Sequence, residues 1–201
     1  MRYALIISDL GGVVVHFDTD RLVHQAAQLI GRPVEEVQQA IYDKVLLLPF
    51  ELGRISPQAY YQGLTERLRL AWTYEQFVRI WNDIFSENGD VVRLLRRLRE
   101  WYRLTALTNT NTLHIEHMKR TIPALTMFHD IVASCDVGTR KPEPEIYYLA
   151  ARRAGVRLRE AVYIDDREEM VEGARMVGMA AVRFENIQQL EQELRNLGIN
   201  V

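Results

Sequence analysis

The chain has 201 residues, 48% hydrophobic and 26% charged, with a formal net charge of −2 and one cysteine, Cys135. This is the composition of an ordinary globular protein, long enough for one mid-sized domain or for a domain carrying a large insertion. The charge balance gives no support to nucleic-acid or membrane-surface binding, a lone cysteine excludes an internal disulfide, and no stretch approaches the roughly 18 apolar residues of a membrane span. The apolar run Tyr3–Ile7 is ended by Ser8 and Asp9 and is too short for a signal peptide, so a reducing, cytoplasmic setting is expected.

In chain order, YALIIS (Tyr3–Ser8) reads as a buried strand closed by Asp9 and two glycines, and the following VVVHF can extend it. From about Thr19 to Phe85 the signals are helical, with starts at Thr19, at Pro33 before Glu35 and Glu36, at Ser56-Pro57 and at Thr73, and with Gly31 and Gly53 as stops. Four helices are expected there. After Asn88-Gly89 strands and helices alternate: an amphipathic helix DVVRLLRRLREW, strand RLTALTN, a helix near Leu113–Arg120 and strand HDIVAS. A helix over Pro144–Ala154, strand AVYIDD, a helix over Glu169–Val177, strand AAVRF and a last helix from Ile187 complete the series. Such alternation predicts an α/β fold, a Rossmann-like parallel sheet with helices on both faces. The expected organisation is a core of residues 1–15 and 86–201, interrupted by an all-helical cap over 16–85.

Ligands of such sheets bind beyond the carboxyl ends of the strands. Three polar clusters fall there: Asp9, then Thr108-Asn109-Thr110-Asn111, then Asp165-Asp166. Converging carboxylates repel one another unless a cation joins them, and hard oxygen ligands of this kind suit Mg²⁺. A strand-end Asp beside flexible glycines can also act as a nucleophile toward phosphorus. Gly11 and Gly12 let backbone groups approach a phosphate closely, and Thr108 adds a hydroxyl donor. Lys141, in GTRKPEPEIYY before a helix, supplies the positive charge that phosphoryl transfer needs.

Asp9-Leu10-Gly11-Gly12-Val13, Thr108-Asn109, Arg140-Lys141-Pro142 and Asp165-Asp166 followed by Gly173-Ala174 resemble, in order, the four motifs of the haloacid dehalogenase-like hydrolases. The resemblance spans the chain and is nearest to the branch of bacterial sugar-1-phosphate phosphatases and the N-terminal phosphatase domain of soluble epoxide hydrolases. It implies Asp9 as nucleophile, with Thr108 and Lys141 holding the phosphate and Lys141 steadying Asp9. Mg²⁺ would sit on Asp9, the Gly11 carbonyl and Asp166, with Asp165 acting through water. Gly12, Asn109 and His114 complete the expected phosphate or substrate contacts, and the substrate would be a small phosphorylated metabolite, for example a sugar phosphate.

Two positions depart from the pattern. Most phosphatases of that family carry a second Asp two residues after the nucleophile as general acid and base; here it is Gly11, and that help is worth on the order of 10²–10⁴-fold in rate. Met170 stands where relatives more often have Asn, which leaves Glu169 to orient Lys141. A phosphate-binding protein with slow turnover and a 2-haloacid dehalogenase are the alternatives; the Asp165-Asp166 pair argues against the second.

Other features have plainer readings. His114 and His117 are spaced for a metal but lack a third ligand. Arg93, Arg96, Arg97 and Arg99 interleave with Val92, Leu95 and Leu98, as on a solvated helix face. Cys135 is expected in the core. VLLLPF (Val45–Phe50) is expected to pack within the cap, and Phe50, Glu51 and Arg54 to face the substrate. The chain is expected to be a monomer or homodimer.

Overall fold

The computed structural model describes residues 3–69 and 72–201; residues 1–2 of the expected core segment and 70–71 of the expected cap lie outside the described residues. The first elements are β1 (Leu5–Ser8), β2 (Val15–Phe17) and five helices: α1 (Thr19–Ile30), α2 (Val34–Ile41), α3 (Lys44–Glu51), α4 (Pro57–Leu68) and α5 (Tyr74–Asn82). Then come β3 (Phe85–Glu87), α6 (Gly89–Leu98), β4 (Arg103–Thr108), α7 (Thr112–Thr121), β5 (Asp130–Ala133) and α8 (Ser134–Val137). The chain closes with α9 (Pro144–Ala154), β6 (Ala161–Asp165), α10 (Glu168–Met176), β7 (Ala180–Arg183) and α11 (Ile187–Asn196). No helix among the described residues is long and apolar enough to cross a membrane.

The main sheet is parallel, in the order β5-β4-β1-β6-β7. Its central strand is buried on both faces, and the period of two sorts its side chains: Ile6 joins one apolar cluster, Leu5 and Ile7 the other. β6 divides in the same way, Val162 and Ile164 against Ala161 and Tyr163. The chain leaves β1 toward β4 and β5 on one side and later returns to β6 and β7 on the other. The crevice at such a reversal lies at the end of β1, where Asp9 stands.

Two expectations are corrected. VVVHF does not lengthen β1: Val13 and Val14 lie in a turn whose amides reach the Leu10 carbonyl, and β2 pairs antiparallel with β3 instead. This two-stranded ribbon brings both ends of the helical insertion together at the sheet. Among the described residues the insertion has five helices rather than four, because Val45–Phe50 belongs to α3, which Asp43 caps by accepting the Val45 amide at 2.7 Å. Pro49 inside α3 masks it in the sequence, since proline removes an internal donor. The insertion has its own core, where Phe50 stacks on Tyr60 with centroids 4.6 Å apart and Phe77 meets Trp81 at 5.4 Å.

Candidate active site

β1 hands directly to the first site residue. The Asp9 amide donates to the Ile164 carbonyl at 2.8 Å, so the strand ladder itself holds this backbone. The carboxylate is almost buried; Oδ1 accepts the Leu10 amide at 2.7 Å and Oδ2 lies 3.0 Å from Lys141 Nζ. The turn that follows is anchored by Leu10, Val13, Val14 and Val15, all fully buried. Gly12 adopts a left-handed φ of 80°, and a Cβ there would overlap the Asp166 carboxylate. Glycine thus serves two demands at once, the turn and the close approach of an acid.

Lys141 crosses the site as a buried cation, with Nζ 3.0 Å from Asp9 and 2.7 Å from Asp165. Its backbone is clamped by Asn109, whose Oδ1 accepts the Lys141 amide at 2.9 Å while its Nδ2 donates to the Lys141 carbonyl at 2.9 Å. Both ends of the Asn109 amide thus hold the lysine loop in register. Gly173 on α10 lets the loop come close: a Cβ would meet Pro142 Cβ at 2.8 Å and Tyr147 Oη at 3.0 Å. Met170 is packed in the core, and its carbonyl accepts from the Tyr147 hydroxyl at 2.7 Å. Glu169 pairs with Arg167 at 3.3 Å on the surface and does not orient Lys141.

The acidic pair divides its work. Asp165 is fully buried and accepts from Lys141, from the Tyr163 hydroxyl and, at 2.9 Å, from the Arg167 amide. Burial pushes its carboxyl up, but Lys141 and these hydrogen bonds together hold it below the ordinary range. For Asp9 the balance reverses: burial, opposed by Lys141 and reinforced by the charge of Asp165, raises it well above a free carboxyl. Asp166 is raised by burial and then by Asp165. The three carboxylates bring ligand oxygens within 4.8 Å of one another.

Above this floor lies a chamber of about 340 Å³, open to Gly11 and Thr108 below and roofed by cap residues including Leu22, Leu47 and Trp81. The cap is latched to the core at Ser134, whose hydroxyl donates to the Glu51 carbonyl at 2.7 Å and accepts the Thr110 amide at 2.9 Å. Glu51 also pairs with Arg140 at 3.0 Å; burial raises its carboxyl against the pull of Arg140 and Arg167. At the second seam the Trp81 indole donates to Asn111 Oδ1 at 3.3 Å and stacks on His114 with centroids 5.1 Å apart. His114 lines the chamber, but Nε2 meets the Trp81 carbonyl at 2.9 Å and Nδ1 meets Asn111 at 3.1 Å, so neither ring nitrogen is free for substrate. Of the expected specificity residues, Glu51 lines the chamber, Phe50 is buried in the cap core and Arg54 is exposed.

A profile of the haloacid dehalogenase-like hydrolases matches residues 3–178. The chain belongs to this family. A glyceraldehyde 3-phosphate phosphatase of Methanopyrus kandleri is 36% identical over 109 residues, 53% of this chain and 47% of the relative, so the match spans about half that protein's length. A D-ribitol-5-phosphate phosphatase of Bacteroides thetaiotaomicron is 24% identical over 197 residues, 94% of this chain and 95% of the relative. Among solved structures, a family enzyme from Bacteroides thetaiotaomicron in complex with magnesium and inorganic phosphate superposes with a TM-score of 0.83 at 25% identity, covering 91% of this chain and 94% of that one.

The donor set fits a hard divalent cation: carboxylate oxygens converge, two of the acids are raised by burial and mutual repulsion, and Gly12 makes room for Asp166. Asp165 is the less available ligand, because Lys141, Tyr163 and the Arg167 amide already occupy its oxygens. Sequence reasoning missed three contributors. Ser134 had a signal, a polar residue closing HDIVAS at the same rim; Tyr163, inside a strand, had none. Phe17 had none either: its ring lies 3.1 Å from where a Gly11 Cβ would stand. Cys135 is half-buried, packed against the edge of the core, and burial with Asp136 beside it pushes its thiol up to about 11.

Proposed function

We propose that this chain is a Mg²⁺-dependent phosphatase of small phosphomonoesters that works through a phospho-aspartate on Asp9. The observation that carries the reading is Lys141 Nζ, buried between Asp9 at 3.0 Å and Asp165 at 2.7 Å at the strand ends where Asp166 also lies. An Asp9 oxygen attacks phosphorus, forming a P–O bond to the carboxylate as the bond to the leaving alcohol breaks. Lys141 and the Thr108 hydroxyl bind phosphoryl oxygens and balance the charge that builds there. Asp165 positions Lys141, and the Leu10 amide holds the other Asp9 oxygen in place. Water then attacks phosphorus, releasing inorganic phosphate and restoring the carboxylate. Mg²⁺, held by Asp9, Asp166 and the Gly11 carbonyl, would supply Lewis-acid charge at the phosphoryl group and offset the repulsion among the acids.

The relatives' named activities, on glyceraldehyde 3-phosphate and D-ribitol 5-phosphate, support small phosphorylated metabolites as the substrate class. A second reading, a phosphate-binding protein with slow turnover, is favoured by one observation: Gly11 offers no acid, and the Phe17 ring fills the space where a side chain would stand. Phosphate release from a panel of phosphorylated metabolites separates the two. The expected result is turnover that needs Mg²⁺ and falls by on the order of 10⁴-fold in Asp9→Asn. Mg²⁺ should also raise the melting temperature, by the equivalent of about 2.7 kcal/mol at a hundred times its Kd, and Asp166→Asn should remove that gain. Phosphate and Mg²⁺ binding without turnover would establish the second reading instead.

A further inference from the structure

We infer that the leaving group this site accepts is a bulky, largely apolar aromatic alcohol rather than a polyol; the inference rests on the phosphatase reading above. Two independent observations lead there. The first is the wall of the chamber. Val15, Phe17, Leu22, Trp81, Phe85 and Met118 are the body of its apolar side, and several of the polar groups that complete it are committed to one another. Asn111, His114 and the Trp81 indole satisfy each other, Glu51 is paired with Arg140, and Tyr42 is hydrogen-bonded to Thr19. A polyol brought against the apolar side loses water from its hydroxyls without partners there, whereas an aromatic body loses only apolar contact with water.

The second observation concerns the proton. Gly11 cannot protonate a departing oxygen, and the Phe17 ring at 3.1 Å crowds the position from which a side chain would do so. An alkoxide leaves poorly without that proton. A phenolate leaves as the anion: the P–O bond breaks with its electron pair on an oxygen the ring already stabilises, and solvent protonates it afterwards. Phe17 belongs to both arguments. It is 46% exposed, and it edges the chamber, so a bound ring would cover it.

Binding to Asp9→Asn in Mg²⁺, measured by calorimetry, tests the chamber apart from the chemistry. 1-Naphthyl phosphate should bind about tenfold tighter than phenyl phosphate, as expected for one more buried ring, and glucose 1-phosphate no tighter than inorganic phosphate. Phe17→Ala, a change at a half-exposed side chain, should weaken 1-naphthyl phosphate about tenfold and leave inorganic phosphate unchanged. Wild-type KM values for the same esters provide a second measurement in the same order. Glucose 1-phosphate or ribitol 5-phosphate binding as tightly as the naphthyl ester, or Phe17→Ala without effect on it, would overturn the inference while leaving the phosphatase reading intact. Preferential naphthyl binding with no hydrolysis of any ester would do the reverse, sinking the phosphatase reading and keeping the chamber's preference.

Discussion

On the core side of the chamber, short charged side chains stand on strand ends: Asp9, Asp165 and Asp166, with Lys141 buried among them. On the cap side, Trp81, Leu22 and Leu47 line the roof over an aromatic stack of Phe50, Tyr60 and Phe77. The floor is positioned by a hydrogen-bonded ladder and by opposite charges at contact distance, so a shift of one group disturbs all of them. The roof is positioned by non-directional packing and held down by a few latches, so its residues can change with little consequence for the groups below. Under the proposed phosphatase function, reaction chemistry belongs to the floor and the choice of alcohol to the walls and roof.

Substitutions on the two sides should separate these roles. Lys141→Met is expected to be the most severe, since it leaves Asp9 and Asp165 facing each other without a cation. Steady-state kinetics should show a fall in kcat on the order of 10³-fold, and denaturant unfolding a loss of about 3–5 kcal/mol. Phe77→Ala should cost comparable stability, about 3–5 kcal/mol by denaturant unfolding, because Phe77 is buried in the cap core. Below its melting temperature, however, its kcat should stay within a few-fold of the wild type. A Phe77→Ala protein as inactive as Lys141→Met would break the division.

Gly173→Ala is the finer probe of the floor. The new methyl must displace Pro142 or Tyr147, at a cost of about 1–3 kcal/mol, and it should lower kcat out of proportion to stability by moving the Lys141 loop. The seam is probed by acid and bears on stability alone. Burial lowers the His114 pKa from 6.5 to about 4, against the raising influence of its bond to the Trp81 carbonyl. The unfolded chain therefore binds this proton first as pH falls. The contribution is fully present above pH 6.5, fades between 6.5 and about 4, and levels off below that. NMR should find His114 neutral at pH 5, and unfolding curves should lose part of their acid sensitivity in His114→Asn.

Much of the floor was legible because its signals are local. LIIS and AVYID are apolar runs ended by acids, and a parallel sheet collects strand ends on one rim whatever joins them. The Lys-Pro pair before a helix and the Gly-Gly turn were readable for the same reason. The β2–β3 ribbon was not, since its two halves are separated by the whole helical insertion and carry only three residues each. α3 was hidden by Pro49, whose cost to a helix depends on what packs around it. His114 and Asn109 were correctly placed at the rim, yet their side chains proved to be engaged with Trp81 and with the Lys141 backbone.

The sequence by itself determined the alternation of strands and helices and the order in which acid, hydroxyl, lysine and acidic pair arrive, because period and turn chemistry act over a few residues. Only the tertiary structure decided which polar atoms were left unspent: the clamp of Asn109 on Lys141, the latch of Ser134 on Glu51 and the Phe17 ring over Gly11. Those depend on distances between segments far apart in the chain, and a hydrogen-bonding group has no partner until folding brings one within reach.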